Sequence, residues 1–196
     1  MEFKLIQLLC RLALACSLLA CSPSLNTGDD DLTSEVLVDR PNCNNSAISA
    51  PMCDFMLFDQ NENPFILSNY TTKHILIDIS AAWCAPCQAA ARDVQYVQDL
   101  YEQHGLLYVT ILIENSSGEN PSLSDAQTWA DVNGITTSPV LMGNTDIIGY
   151  RPDQFSLTAL PSFWYVDSGE NQVIEHYHQG WSPSLIESNV RVLLGL

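Results

Sequence analysis

The chain has 196 residues, with 7 Lys and Arg against 23 Asp and Glu, for a formal net charge of −16. An acidic balance this strong argues against nucleic acid or a bare anionic membrane surface as a partner and would attract basic protein surfaces, with solubility or a saline habitat an equal explanation. The length and a 46% share of hydrophobic residues suit one domain with a good core, and seven cysteines call for a redox or disulfide explanation.

Lys4 and Arg11 give a weakly basic start, and residues 12–20 form an apolar stretch too short for a comfortable membrane span but suited to cleavage and export. Its end, Leu18-Leu19-Ala20-Cys21, resembles the lipobox of bacterial lipoproteins. That resemblance implies a signal peptide over residues 1–20, lipidation of Cys21 and a lipid anchor in a membrane. An ordinary signal peptide with a chance cysteine is the alternative. Cys10 and Cys16 would leave with the signal and Cys21 would carry lipid, so Cys43, Cys53, Cys84 and Cys87 remain. Outside the cytoplasm both resulting pairs are free to be disulfides. Without Lys4, Arg11 and Glu2 the exported chain keeps 5 basic and 22 acidic residues, a net charge of −17. Residues 21–40 carry Asp29-Asp30-Asp31 among small polar residues and read as a flexible tether with a reach on the order of 25 Å. Residues 41–196 read as a single domain.

Within that domain, residues 52–58 and 75–80 predict strands, 84–104 a helix and 106–114 a further apolar strand, with Gly105 as the helix stop. Ser122 or Ser124 caps a helix to about Val132, closed by Asn133-Gly134. Residues 140–142 and 147–150 read as short extended pieces in a polar connection. Residues 162–166 and 173–178 predict a hairpin around Asp167-Ser168-Gly169-Glu170, and Ser182 caps a final helix over 183–194. Strands alternating with helices in this way predict an α/β fold, a central mixed sheet flanked by helices on both faces.

Trp83-Cys84-Ala85-Pro86-Cys87 follows the apolar run 74–80 and sets two thiols one helical turn apart where a strand gives way to a helix. There one thiolate sits on the positive end of the helix dipole, which lowers its pKa, and the second sulfur is near enough to close a disulfide. Such a pair also suits zinc or copper. Zinc usually needs four ligands, however, and the sequence has no second Cys-x-x-Cys; His176 and His178 alternate on a strand and read as surface-exposed. A redox dithiol without metal or cofactor is therefore expected. Asp78 lies six residues before Cys84 on a strand whose Ile75, Ile77 and Ile79 argue for burial on both faces. A buried carboxyl without a cation has a raised pKa and exchanges protons near neutral pH; an exposed strand aspartate is the plain alternative. A Cys43–Cys53 disulfide would clip the approach to the first strand and contribute about 3 kcal/mol by loop entropy. The same two cysteines could instead form a second redox pair relaying electrons to Cys84.

Over residues 50–194 the chain resembles the thioredoxin superfamily, and within it the TlpA/ResA-like extracytoplasmic thiol-disulfide oxidoreductases. Three marks carry the likeness: Trp83-Cys84-Ala85-Pro86-Cys87 behind its strand, Asp78 in Ile77-Asp78-Ile79, and Leu160-Pro161-Ser162 before Phe163-Trp164-Tyr165-Val166. The long segment between Cys87 and Pro161 matches branches with an insertion there. The resemblance implies a thioredoxin-like fold with an N-terminal extension and an insertion before a cis-Pro161. It implies Cys84 as an exposed attacking thiolate, Cys87 as the resolving thiol and Asp78 as a proton acceptor toward Cys87. Cis-Pro161 would bring the backbone before it alongside the disulfide to bind an extended substrate. Leu160 stands where the family often has threonine or another β-branched residue. Trp83 reads as an apolar lip for partners or, equally, as a ring packed against the helix. The implied function is reduction or isomerisation of disulfides in exported proteins, apocytochrome haem-site cysteines among the candidate substrates. It would take place on the bacterial cell envelope, facing the periplasm or the outer surface, with a membrane redox partner supplying electrons. Rival readings are a Cu(I)-handling module using Cys84 and Cys87, a non-catalytic scaffold lipoprotein, and a peroxide reductase. The peroxide reductase's usual Pro-x-x-x-Thr-x-x-Cys signature is absent before Cys84.

Overall fold

The computed structural model describes residues 39–149 and 151–196. The expected signal peptide, the Cys21 lipidation site and nearly all of the tether lie outside the described residues, as does Tyr150. Two short strands, β1 (Met56–Phe58) and β2 (Pro64–Ile66), pair antiparallel as a separate hairpin. The main sheet contains β3 (His74–Ala81), β4 (Leu106–Glu114), β5 (Val140–Met142), β6 (Ser162–Val166) and β7 (Ile174–Gln179), in the spatial order β5-β4-β3-β6-β7. β3, β4 and β5 run parallel, whereas β6 runs antiparallel to both β3 and β7.

Parallel neighbours require long crossovers, and the helices supply them. α1 (Ala85–Tyr101) joins β3 to β4, α2 (Leu123–Asn133) joins β4 to β5, and α3 (Pro183–Leu194) ends the chain. β3 and β4 are apolar almost throughout because each is covered on both faces, and nearly every residue in them is buried. α1 turns Cys87, Ala90, Ala91, Val94, Val97 and Tyr101 toward the sheet at helical spacing. After a short 3-10 turn it stops at Gly105, whose φ of 91° is the left-handed conformation that glycine adopts without strain. Ser122, not Ser124, caps α2: its side chain accepts from the Asp125 N–H while the Asp125 carboxylate accepts from the Ser122 N–H, a reciprocal capping box.

On β3, side chains two apart share a face, so Leu76, Asp78 and Ser80 point one way, and Tyr108 of β4 joins them as the register partner of Leu76. α1 and α3 cover this face. Tyr108 lines a cavity between them with Val97, Tyr101, Pro183 and Ile186.

Three local expectations change. Only the last three residues of the predicted strand 52–58 are a strand; Met52 is held instead by its N–H bond to Gln172 O at 3.1 Å and Cys53 by a disulfide. Residues 147–150 were expected to be extended. Thr145–Ile147 instead forms a 3-10 turn, because the Asn144 side chain accepts from the Asp146 and Ile147 N–H groups, and Ile148 makes one isolated bridge to Phe155. β2 and the 3-10 turn Leu67–Tyr70 are too short to leave a periodic trace and were not anticipated.

Candidate active site

Cys84 occupies the N-cap of α1 with extended backbone, and Pro86 sits in the first turn, where its missing N–H costs nothing. The Cys84 Sγ accepts the Cys87 backbone N–H at 3.2 Å, and the two cysteines are joined as a disulfide. Cys87 is fully buried. The expectation of an exposed Cys84 needs correction, since it is only 4% exposed. In the disulfide its sulfur is turned toward Cys87, and the remaining access is from a groove of about 490 Å³.

Trp83 and Pro86 border that groove on the α1 side, and Leu157, Thr158 and Leu160 border it on the other, with Ile148 beside them. The Leu160–Pro161 peptide is cis. Pro161 is buried, its carbonyl accepts the Gly180 N–H at 2.8 Å, and Ser162 Oγ donates to Ala159 O at 2.7 Å. These bonds fix the turn. Among the described residues, neither the Thr158 nor the Leu160 N–H donates to a protein atom. Trp83 is half exposed, at 52%, and its indole N–H donates to Glu114 Oε2 at 2.5 Å, which orients the ring at the groove's edge.

Asp78 lies fully buried in the middle of β3. Desolvation pushes its carboxyl up to about 7. Hydrogen bonds donated by Ser80 Oγ at 2.7 Å and Tyr108 OH at 3.5 Å oppose that rise and are too weak to cancel it. The same burial, together with the Asp78 charge, raises the Tyr108 hydroxyl well above the usual range, so Tyr108 remains a donor. Asp78 is thus poised to exchange a proton near neutral pH.

Cys43 and Cys53 form the second disulfide. His176 is exposed, as expected, but His178 is not. It stacks on Phe163 with ring centroids 4.8 Å apart and is half buried, and desolvation lowers its pKa to about 4, so it stays neutral. Among the described residues no group of three or more His, Cys, Asp or Glu could hold a metal ion.

Cys84, Trp83 and Leu160 thus meet at one groove. Cys87, Asp78 and Pro161 lie buried rather than on it. The sequence reading missed Ile148, Leu157 and Thr158, which belong to an irregular connection without a periodic signal. It also missed Ser80, although period-2 spacing from Asp78 would have found it, and Glu114, at the end of β4 in register with Ala81.

This strand order, with a dithiol at the start of α1 and a cis-proline turn before β6, is a thioredoxin-like fold, the α/β architecture expected from the sequence. No protein-family profile matches the chain. It is 28% identical over 121 residues to the thiol-disulfide oxidoreductase ResA of Geobacillus kaustophilus (strain HTA426), a match covering 62% of this chain and 64% of that protein. The chain therefore spans just under two thirds of that relative's length. A thiol:disulfide interchange protein of the thioredoxin family from Chlorobium tepidum TLS has a similar structure, with a TM-score of 0.59 and 20% identity over 81% of this chain and 100% of that one. So has the pneumococcal exposed lipoprotein thioredoxin from Streptococcus pneumoniae strain TIGR4, with a TM-score of 0.56 and 20% identity over 74% of this chain and 100% of that one.

Proposed function

We propose that the protein is a thiol-disulfide oxidoreductase of the cell envelope, acting through Cys84 and Cys87 to reduce or isomerise disulfides in exported proteins. The observation that carries this reading is the placement of Cys84. Its sulfur caps α1, accepts the Cys87 N–H and opens on the groove beside the cis-proline turn. In the reduced protein that N–H and the helix dipole stabilise a thiolate at Cys84. The thiolate attacks one sulfur of the partner disulfide, forming a mixed disulfide and releasing the partner's other sulfur as a thiolate. Cys87 gives its proton to Asp78 and attacks the Cys84 sulfur. This closes Cys84–Cys87 and frees the second partner thiolate. Two electrons have then passed to the partner, and an external dithiol donor, a membrane redox partner in this reading, must restore the pair. The undonated Thr158 and Leu160 N–H groups suit an extended partner backbone laid along the groove.

Lipidation at Cys21 would hold the domain at the membrane, and the likeness to a solved lipoprotein thioredoxin is in keeping with it. Substituting Cys21→Ala should release the domain from the membrane fraction or stall its processing, and an unmodified Cys21 in the mature protein, read by mass spectrometry, would refute the anchor. The redox reading is tested with Cys87→Ser, which should accumulate mixed disulfides through Cys84 in envelope extracts. Failure to recover any covalent adduct, together with turnover that survives Cys84→Ser, would overturn it.

A further inference from the structure

The second disulfide encloses a residue that sends three of its four polar groups out of its own loop. Asn45 is 1% exposed. Its backbone N–H donates to Pro152 O at 2.8 Å, its side-chain amide donates to Asp153 O at 3.1 Å, and its backbone carbonyl accepts the Trp164 indole N–H at 2.9 Å. Its side-chain oxygen accepts the Cys53 N–H at 2.7 Å, which fixes Asn45 relative to the disulfide. Pro152 and Asp153 belong to the irregular connection ahead of the cis-proline turn. There Phe155 N–H donates to Ile147 O at 2.9 Å, Gly149 N–H donates to Phe155 O at 2.8 Å, and Gln154 Nε2 donates to Asp146 O at 2.7 Å. Phe155 is fully buried and packs edge-on against Trp164 at 4.7 Å. Ile148 and Leu157, which flank this knot, both line the groove, and neither lies in a regular element.

We propose that Asn45, locked by the Cys43–Cys53 disulfide, is a positioning residue that latches the groove wall formed by Ile148 and Leu157 and so sets reactivity toward extended protein disulfides, without acting on the dithiol itself. The proposal rests on the redox function argued above. A wall of Ile148, Leu157 and Leu160 facing Trp83 and Pro86 selects partners with apolar residues beside the target cysteine. A small aromatic disulfide needs only the Cys84 sulfur. The latch can be removed without losing the whole N-terminal segment, because Arg40 Nη1 donates to Met52 O at 3.1 Å and Met52 N–H donates to Gln172 O.

The test uses the full chain in detergent, unaltered, as Asn45→Ala, and as the double variant Cys43→Ala/Cys53→Ala. Amide exchange at Gly149 and Phe155, read by NMR, should accelerate about tenfold or more in both variants. KM for a short peptide whose disulfide is flanked by leucines should rise about fivefold to tenfold with kcat nearly unchanged, because the loss is in binding. The rate with 5,5′-dithiobis(2-nitrobenzoate) and the equilibrium of Cys84–Cys87 with glutathione should both stay as in the unaltered protein. Unchanged exchange at Phe155 overturns the latch. So does a fall in the small-disulfide rate in step with the peptide rate. If the unaltered protein reduces neither disulfide, the redox function fails, and the exchange result alone then decides whether the latch exists.

Discussion

The two disulfides are the same covalent bond in opposite electrostatic settings. Cys84 Sγ faces a donor, the Cys87 backbone N–H at 3.2 Å, at the positive end of a 17-residue helix. Cys53 Sγ faces an acceptor, the carbonyl oxygen of Pro152 at 3.3 Å. A thiolate is stabilised in the first position and repelled in the second. Cys84 opens on a groove, whereas the Cys43–Cys53 loop closes over Asn45 and the connection that Asn45 holds. On the function proposed above, spacing alone does not separate the redox pair from the clip; the polar atom that each sulfur meets does. The relay of electrons from Cys43 and Cys53 to Cys84, one of the two sequence readings of that pair, finds no support in this arrangement.

Breaking the pairs one at a time should expose the difference. Cys84→Ser removes the attacking sulfur, and disulfide turnover should fall by about 10³-fold or more in a steady-state assay. Asp78→Asn comes next. In the folded chain the Asp78 carboxyl holds its proton up to about pH 7, while in the unfolded chain it releases it near the ordinary value of 3.8. Between those limits the unfolded state binds fewer protons, so this group lowers stability as pH rises, by about 4 kcal/mol in total by pH 7. Asp78→Asn should abolish that slope in denaturant titrations run from pH 4 to 8 and raise stability at the upper end. It should also slow attack by Cys87 on the mixed disulfide by about 10²-fold in single-turnover kinetics, leaving the first step alone. Cys43→Ala/Cys53→Ala should lower stability by about 3 kcal/mol, seen as a Tm roughly 10 °C lower, while turnover of a small disulfide persists. The smallest effect sharpens the comparison most. In the fully reduced protein Cys84 should alkylate about tenfold faster than Cys53 at pH 7, and equal rates would erase the electrostatic distinction.

What was legible in the sequence follows how local the cause is. The bounds of β4, β5, β6 and α3 came from apolar runs and from punctuation such as Gly105 and Ser182-Pro183, all within a few residues of the element they end. The dithiol at a helix start was legible for the same reason. The burial of Cys84 was not, because it depends on the cis-proline turn and the groove wall folding back from more than 60 residues away. The Asn45 bond to Asp153 spans 108 residues and joins two irregular segments, neither with a period to read. His178 looked exposed because alternation places it correctly on β7 but does not reveal that Phe163 and Tyr165 stack against it.

The position of Trp83 has an optical consequence. An indole next in sequence to a disulfide loses its excited-state energy to the sulfur–sulfur bond by electron transfer, and opening that bond removes the acceptor. The N–H bond to Glu114 keeps the ring at the groove's edge, beside Cys84. Reduction should therefore brighten emission from Trp83, while Trp129 and Trp164, both buried in the core, and the partly exposed Trp181 contribute a steady background. The chain carries its own fluorophore for timing, without any label, the opening and closing of its dithiol.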